Sequence, residues 1–208
     1  NSLKRIALSY DESLKALKEA EDNDFIMLSD NDEIPNLNSM QFINNKSDIV
    51  LFNQLFFYYK FNLLYDKMIW PGTKGCKKKK LKSLSWLRNI KLKKYPFWRL
   101  DTLFSHTKYI NMNVIKNGGW HFTNMKTPED MYEKFMNFGH HDEFRLSGIT
   151  IDKIANKVKN KELFYNHFID SSNQDKWKSN YKLKKVDINN LPEYLINNKS
   201  KYIEWFDI

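Results

Sequence analysis

The apolar run Phe25-Ile26-Met27-Leu28 stops abruptly in Ser29-Asp30-Asn31-Asp32-Glu33, followed by Ile34-Pro35. A short continuous apolar run of this length suits a strand buried on both faces. Three carboxylates within four residues repel one another unless donors or a cation neutralise them. Ahead of the run, Leu3, Ile6, Ala7, Tyr10, Leu14, Leu17 and Ala20 recur at helical spacing, which predicts an amphipathic helix over 3–20 ended by Asp22-Asn23-Asp24. Helix, buried strand and acidic strand end make up the layout of an open α/β sheet, whose ligands gather at the carboxyl ends of the strands. Without further context a solvated acidic turn is the commoner use of such a run. A calcium loop is excluded, because Ile34 and Pro35 stand where that loop needs a ligand and a glycine.

The rest of the chain narrows the class. Of 208 residues, 41% are hydrophobic and 15% aromatic, enough apolar surface for a core and against disorder, and one globular domain is the default at this length. The single cysteine, Cys76, excludes an internal disulfide and a cysteine-built zinc site. No apolar run is long enough to predict a membrane span or a signal peptide.

The formal charge of +9 is local. Lys74 to Lys94 carries ten basic and no acidic side chains, leaving 24 basic against 25 acidic elsewhere. This stretch reads first as a solvated basic loop, second as help for an anionic ligand and third as a nucleic-acid grip, and a generally nucleic-acid-coating protein is disfavoured. It is expected to be part loop and part helix around Trp86 and Leu87. Asp48 to Tyr59 predicts one or two strands. Met131 to Phe138 predicts a helix opened by Thr127-Pro128-Glu129-Asp130. A helical tail is expected from about Ile149, with a last helix after Leu191-Pro192-Glu193.

Several motifs could carry chemistry. Trp70-Pro71-Gly72-Thr73-Lys74 is not a Walker loop, and neither a Gly-x-Gly-x-x-Gly nor a Gly-x-Ser-x-Gly sequence occurs. In Asn117-Gly118-Gly119-Trp120-His121-Phe122 the glycines allow close approach of a ligand, Trp120 can stack on a sugar or base, and His121 can meet a metal or phosphate. The same residues serve equally as a turn with a core tryptophan. Glu129 and Asp130 suit ordinary capping of a helix start as well as general-base work. His140, His141 and Glu143 form a weak second cluster.

Taken in order, Leu28-Ser29-Asp30-Asn31-Asp32-Glu33-Ile34-Pro35, Trp70-Pro71-Gly72-Thr73-Lys74, Leu81-Lys82-Ser83, Gly118-Gly119-Trp120-His121-Phe122, Pro128-Glu129 and His141-Asp142-Glu143-Phe144 resemble family 17 glycosyltransferases from about residue 3 to Leu195. The resemblance implies a GT-A-like, Rossmann-like α/β sheet flanked by helices over 1–148, with a helical extension over 149–208. It also implies an inverting transfer of a sugar, GlcNAc in the animal member, from a nucleotide sugar to a glycan hydroxyl with Mn²⁺ or Mg²⁺. Asp30 and Asp32 match the family's Asp-x-Asp metal and diphosphate motif, with His121 a further metal or phosphate contact. Glu129 matches the candidate base, with Asp130 beside it. Lys74, Arg99, Trp120, His141 and Glu143 are candidate substrate contacts. No nucleic acid is expected as partner, and the location is expected to be cytoplasmic if the chain is complete. The chain opens inside the helix that precedes Asp-x-Asp, so the family's first strands are expected either to lie outside it or to be missing from a shortened relative. The alternatives are a nucleic-acid-binding module using 74–94 and a non-catalytic glycan-binding relative.

Overall fold

Ile49–Tyr58, the longest apolar stretch, forms the longest strand, β3. Its side chains alternate between two clusters, as the period of two demands. Val50 and Phe52 pack with Phe42, Ile115, Phe25 and Met27. Ile49 packs on the other side with Cys76, Leu87, Ile90, Leu28 and Met112. Burial on both faces explains why this segment is apolar on either side of Asn53-Gln54 and does not alternate. The computed structural model describes residues 8–10, 12–38, 42, 46–92, 95–96, 98–102, 104–108, 111–137, 141–170 and 173–208.

The fold is mixed α/β and falls into two compact units, Asn1–Leu55 with Ile69–His121, and Phe56–Met68 with Phe122–Ile208. In the first, β1 (Phe25–Leu28) pairs antiparallel with β5 (Trp70–Lys77), Leu28 opposite Lys74. β5 pairs antiparallel with β3 on its other edge. β3 in turn pairs in parallel with β6 (Met112–Ile115). β2 (Glu33–Pro35) pairs antiparallel with β7 (Gly119–Thr123), Glu33 opposite His121. Lys74 to Lys77, expected as the start of a solvated basic loop, therefore lies in a central strand, Trp70–Lys77. Its register against β3 slips between Leu51 and Asn53, so β5 accommodates one extra residue at Gly72-Thr73. Such a bulge re-aims the side chains that follow it.

The helix α1 (Leu84–Asn89) lies where the sequence expects one, around Trp86 and Leu87. The Ser83 hydroxyl accepts from the Trp86 N–H at its start, and Leu84 and Leu87 are its buried face. In the predicted N-terminal helix, residues 8–10 and 12–13 are helical and Leu14–Leu17 tightens to a 3-10 turn. Leu3, Ile6 and Ala7 lie outside the described residues.

In the second unit, α2 (Pro128–Asn137), α3 (His141–Leu146) and α4 (Ile151–Lys159) pack together. Phe135, Phe144, Phe164 and Trp177 form an aromatic core among them, at ring separations of 5.3–6.3 Å. Each such ring contributes about 2–3 kcal/mol by burial. Residues 122–148 thus group with the tail. The tail itself is not purely helical: β8 (Lys184–Lys185) pairs with β4 (Leu63–Leu64), although α5 (Glu193–Asn197) follows Pro192 as expected, with a 3-10 stretch Lys199–Trp205 after it. The buried Asn62 amide holds the chain end, donating to the Asp207 carbonyl and accepting from its N–H, both at 2.8 Å.

Candidate functional site

The acidic run at the end of β1 meets four aromatic and basic side chains, Tyr10, Trp70, Arg88 and His121. Asp30 accepts from the Arg88 guanidinium at 2.6 Å and from the Tyr10 hydroxyl at 3.2 Å, and Arg88 Nε donates to that same hydroxyl at 3.2 Å. Asp32 meets His121 Nε2 at 3.2 Å. Glu33 is buried, accepting from Trp70 Nε1 at 2.8 Å and from the Asp30 N–H at 3.2 Å. The Trp70 and His121 rings stack at 4.3 Å. One carboxylate per partner is how the cluster tolerates three acids in four residues.

Electrostatics follow the burial. Desolvation pushes the Glu33 carboxyl up, with the Trp70 and Asp30 hydrogen bonds pulling the other way. Desolvation works against the charge of Arg88, but Asp30 and the Tyr10 hydrogen bond hold its pKa above the ordinary value. Burial raises the Tyr10 hydroxyl. Lys74 is 4% exposed, and desolvation first, then the neighbouring Arg88 charge, bring its ammonium down to about 8. Its Nζ donates to the Arg88 carbonyl at 2.5 Å and the Ile90 carbonyl at 3.0 Å, at the end of α1. The expected phosphate contact of Lys74 is thus turned inward, where it fixes the residue that carries the Arg88 side chain. Behind this layer the Ser29 and Thr73 hydroxyls meet at 2.5 Å, and Gln54 Nε2 donates to Thr73.

The paired glycines have a structural task. A Cβ on Gly118 would lie 2.6 Å from the Asn53 nitrogen and 2.7 Å from the Phe52 Cα, and one on Gly119 would lie 2.1 Å from the Ile34 carbonyl oxygen. Gly119 also has φ +121°, outside the reach of most side chains. The close approach expected toward a ligand is made to neighbouring strands, with Gly118 N–H donating to Asn53 and its carbonyl accepting from Asn36. That approach sets His121 opposite Glu33 and Trp120 opposite Ile34.

Asp30, Asp32, His121 and Lys74 are therefore brought together, and Trp120 is half-buried beside them on β7. Arg99 stands apart on an exposed turn, paired with Asp101 at 2.6 Å. Glu129 and Asp130 are exposed in the first turn of α2, where the Thr127 hydroxyl accepts from the Asp130 N–H. His141 and Glu143 are half-buried in the first turn of α3, His141 Nε2 lying 3.3 Å from Asp142. These four belong to the second unit, and His140 lies outside the described residues. Tyr10 and Arg88 were not singled out as site residues. Tyr10 sits in the apolar stripe of a helix, and Arg88 is one of ten cations in its segment, so no local pattern marks either.

A divalent ion does not fit the side chains as arranged. Asp30 is already taken by a guanidinium and a hydroxyl, Asp32 by His121, and among the described residues no group of three His, Cys, Asp or Glu side chains could hold a metal. What the cluster does offer is acceptor carboxylates for hydroxyl groups beside a guanidinium for an anion. No family model, no curated protein and no solved structure matches the chain.

Proposed function

We propose that this chain is an inverting glycosyltransferase of the family 17 type with a GT-A-like sheet, moving a sugar, GlcNAc in the first instance, from a nucleotide sugar to a glycan hydroxyl. The observation that carries this reading is the Asp30–Arg88 pair at the carboxyl end of β1. Arg88 spends one N–H on Asp30 and one on Tyr10, its side chain is 36% exposed, and a guanidinium has five N–H groups in a planar fork. The remaining donors suit the diphosphate of a donor sugar. Asp32, 32% exposed, suits acceptance of a ribose or sugar hydroxyl. In the transfer the acceptor oxygen attacks the anomeric carbon and loses its proton to a base, and the diphosphate leaves with the bonding electron pair. Charge grows on that leaving group, and Arg88 is the cation beside it. The base is assigned to Glu129, with Asp130 beside it, on the resemblance alone.

Isothermal titration with UDP and UDP-GlcNAc tests the reading, in EDTA and again in Mn²⁺. Asp32→Asn and Arg88→Met are each expected to weaken binding about tenfold or more, the loss of one or two charge-assisted hydrogen bonds. Binding in EDTA supports Arg88 as the counter-cation, whereas a strict need for Mn²⁺ returns Asp30 and Asp32 to a metal. No nucleotide binding under either condition would sink the transferase. Glu129→Gln should cut transfer by about 10²–10⁴ with donor binding unchanged.

A further inference from the structure

The segment after α1 exposes what soluble surfaces usually hide. Trp98 is 66% exposed, Leu100 69%, Phe104 85% and Leu92 39%, four large apolar side chains within thirteen residues. The loop that bears them is nevertheless built. Arg99 N–H donates to the Pro96 carbonyl, Thr102 N–H to Arg99, and Ser105 N–H to Thr102, a chain of tight turns. Thr102 is buried and its hydroxyl donates to the Arg99 carbonyl at 2.7 Å, so Leu100 and Phe104, two residues to either side, stand outward. Ser105 Oγ closes the turn by accepting from the Thr107 and Lys108 N–H groups. The loop is tied to α1 by Trp86 Nε1 donating to the His106 carbonyl at 2.6 Å and Lys91 N–H to the Thr107 carbonyl at 2.7 Å.

Lys82, Arg99 and Lys108 lie against the rings of this segment. Residues 74–108 hold twelve Lys and Arg against a single acid, Asp101, although the rest of the chain is slightly acidic. Asp101 is shared by Arg99 and Lys108, both of which also lie over the Tyr95 ring, at 5.8 and 5.5 Å. Lys82 lies over the Trp86 ring at 5.5 Å. Exposed Trp, Leu and Phe beside Lys and Arg are the composition that seats a protein at the boundary between lipid headgroups and acyl chains, the cations drawn by anionic lipid and the apolar tips inserted.

We infer that the exposed side chains of Trp98, Leu100 and Phe104, with Lys82, Lys91, Arg99 and Lys108 nearby, dock this chain on an anionic phospholipid surface. A polynucleotide would use the same cations and the rings, but Leu100 adds nothing to a base stack and does add area at an acyl boundary. A protein interface would be poor in lysine at its centre. The inference stands independently of the transferase reading, since neither the apolar tips nor Lys82, Lys91, Arg99 and Lys108 belong to the Asp30–Arg88 cluster.

The test is co-sedimentation with phosphatidylcholine vesicles, with and without phosphatidylserine, with tryptophan emission followed against brominated lipid. Binding should require phosphatidylserine and weaken with salt, and the emission should be quenched. The double variant Leu100→Ser/Phe104→Ser changes only exposed tips, so its circular dichroism should match the wild type while its partitioning falls about tenfold. Lys82→Glu/Lys91→Glu should do the same through charge. Absence of binding to phosphatidylserine vesicles, or binding unchanged in the apolar double variant, would overturn the inference. So would RNA binding indifferent to Leu100→Ser/Phe104→Ser in a protein that ignores vesicles.

Discussion

Replacing Lys74 by Met removes the ammonium that ties β5 to the end of α1, and the size and pH dependence of the effect follow from the structure. The side chain is nearly isosteric, so the change is chemical and not one of volume. Two donations are lost, to the Arg88 and Ile90 carbonyls. Hydrogen bonds from a charged donor contribute about 1.5–3 kcal/mol each, so the gross loss is roughly 3–6 kcal/mol. Against this stands the cost of keeping the amine charged. Its pKa falls from 10.5 to about 8, largely through desolvation, and at about 1.4 kcal/mol per unit the charged form at neutral pH carries a penalty of roughly 3 kcal/mol. The variant should therefore be less stable by at most about 3 kcal/mol at pH 7, the difference of these terms being roughly 0–3 kcal/mol. Between pH 8 and 10.5 the unfolded chain still binds this proton and the folded chain does not, so wild-type stability gains with rising pH relative to the variant. By pH 10 the gap should widen by roughly 2–3 kcal/mol, because the neutral amine keeps both carbonyls without the burial penalty. Urea unfolding of both proteins at several pH values between 7 and 10 measures this, and taking the difference removes the titrations they share. A gap that is flat or narrows as pH rises would refute the reasoning.

Two further outcomes check the frame around the site. Gly118→Ala should cost at least about 2–3 kcal/mol in urea unfolding, since the new methyl meets the backbone of Asn53 and Phe52 inside 2.8 Å and strand backbone has no rotamer to yield; a loss under 0.5 kcal/mol, the scatter of neutral surface changes, would contradict that packing. Cys76 is 1% exposed and desolvation raises its thiol to about 11, so at pH 8 it stays protonated and out of reach. Labelling by a disulfide reagent should be slow in buffer and complete in denaturant; fast stoichiometric labelling of the native protein would place the thiol elsewhere.

The individual elements were largely legible because their signals are local. Phe25–Leu28 declares itself by an unbroken apolar run and Ile49–Tyr58 by two apolar runs either side of Asn53-Gln54, α1 by Ser83 before its buried pair, and α2 by Pro128 with acids in the first turn. Trp70–Lys77 is not legible as a strand for a physical reason: Pro71, Gly72, Gly75 and two lysines are poor strand residues, and only the partners on both edges and the bulge at Gly72-Thr73 make a strand of them. The glycine pair was marked correctly as a place of close approach, but what approaches is strand backbone.

By itself, then, the sequence determined that this chain has a mixed α/β core, that three carboxylates end its first strand, and that its positive charge is concentrated in one segment. Apolar periodicity, capping residues and charge counts are properties of neighbours along the chain, and no tertiary contact can erase them. Only the tertiary structure decided which partner each charge would take. Arg88 on Asp30, His121 on Asp32, Trp70 on Glu33 and Lys74 on the carbonyls of α1 join residues 14 to 89 positions apart in sequence. Such pairings depend on strand register and on a bulge of one residue. A shift of a single position in β5 would turn Lys74 to the opposite face of the sheet while leaving every local signal as it is.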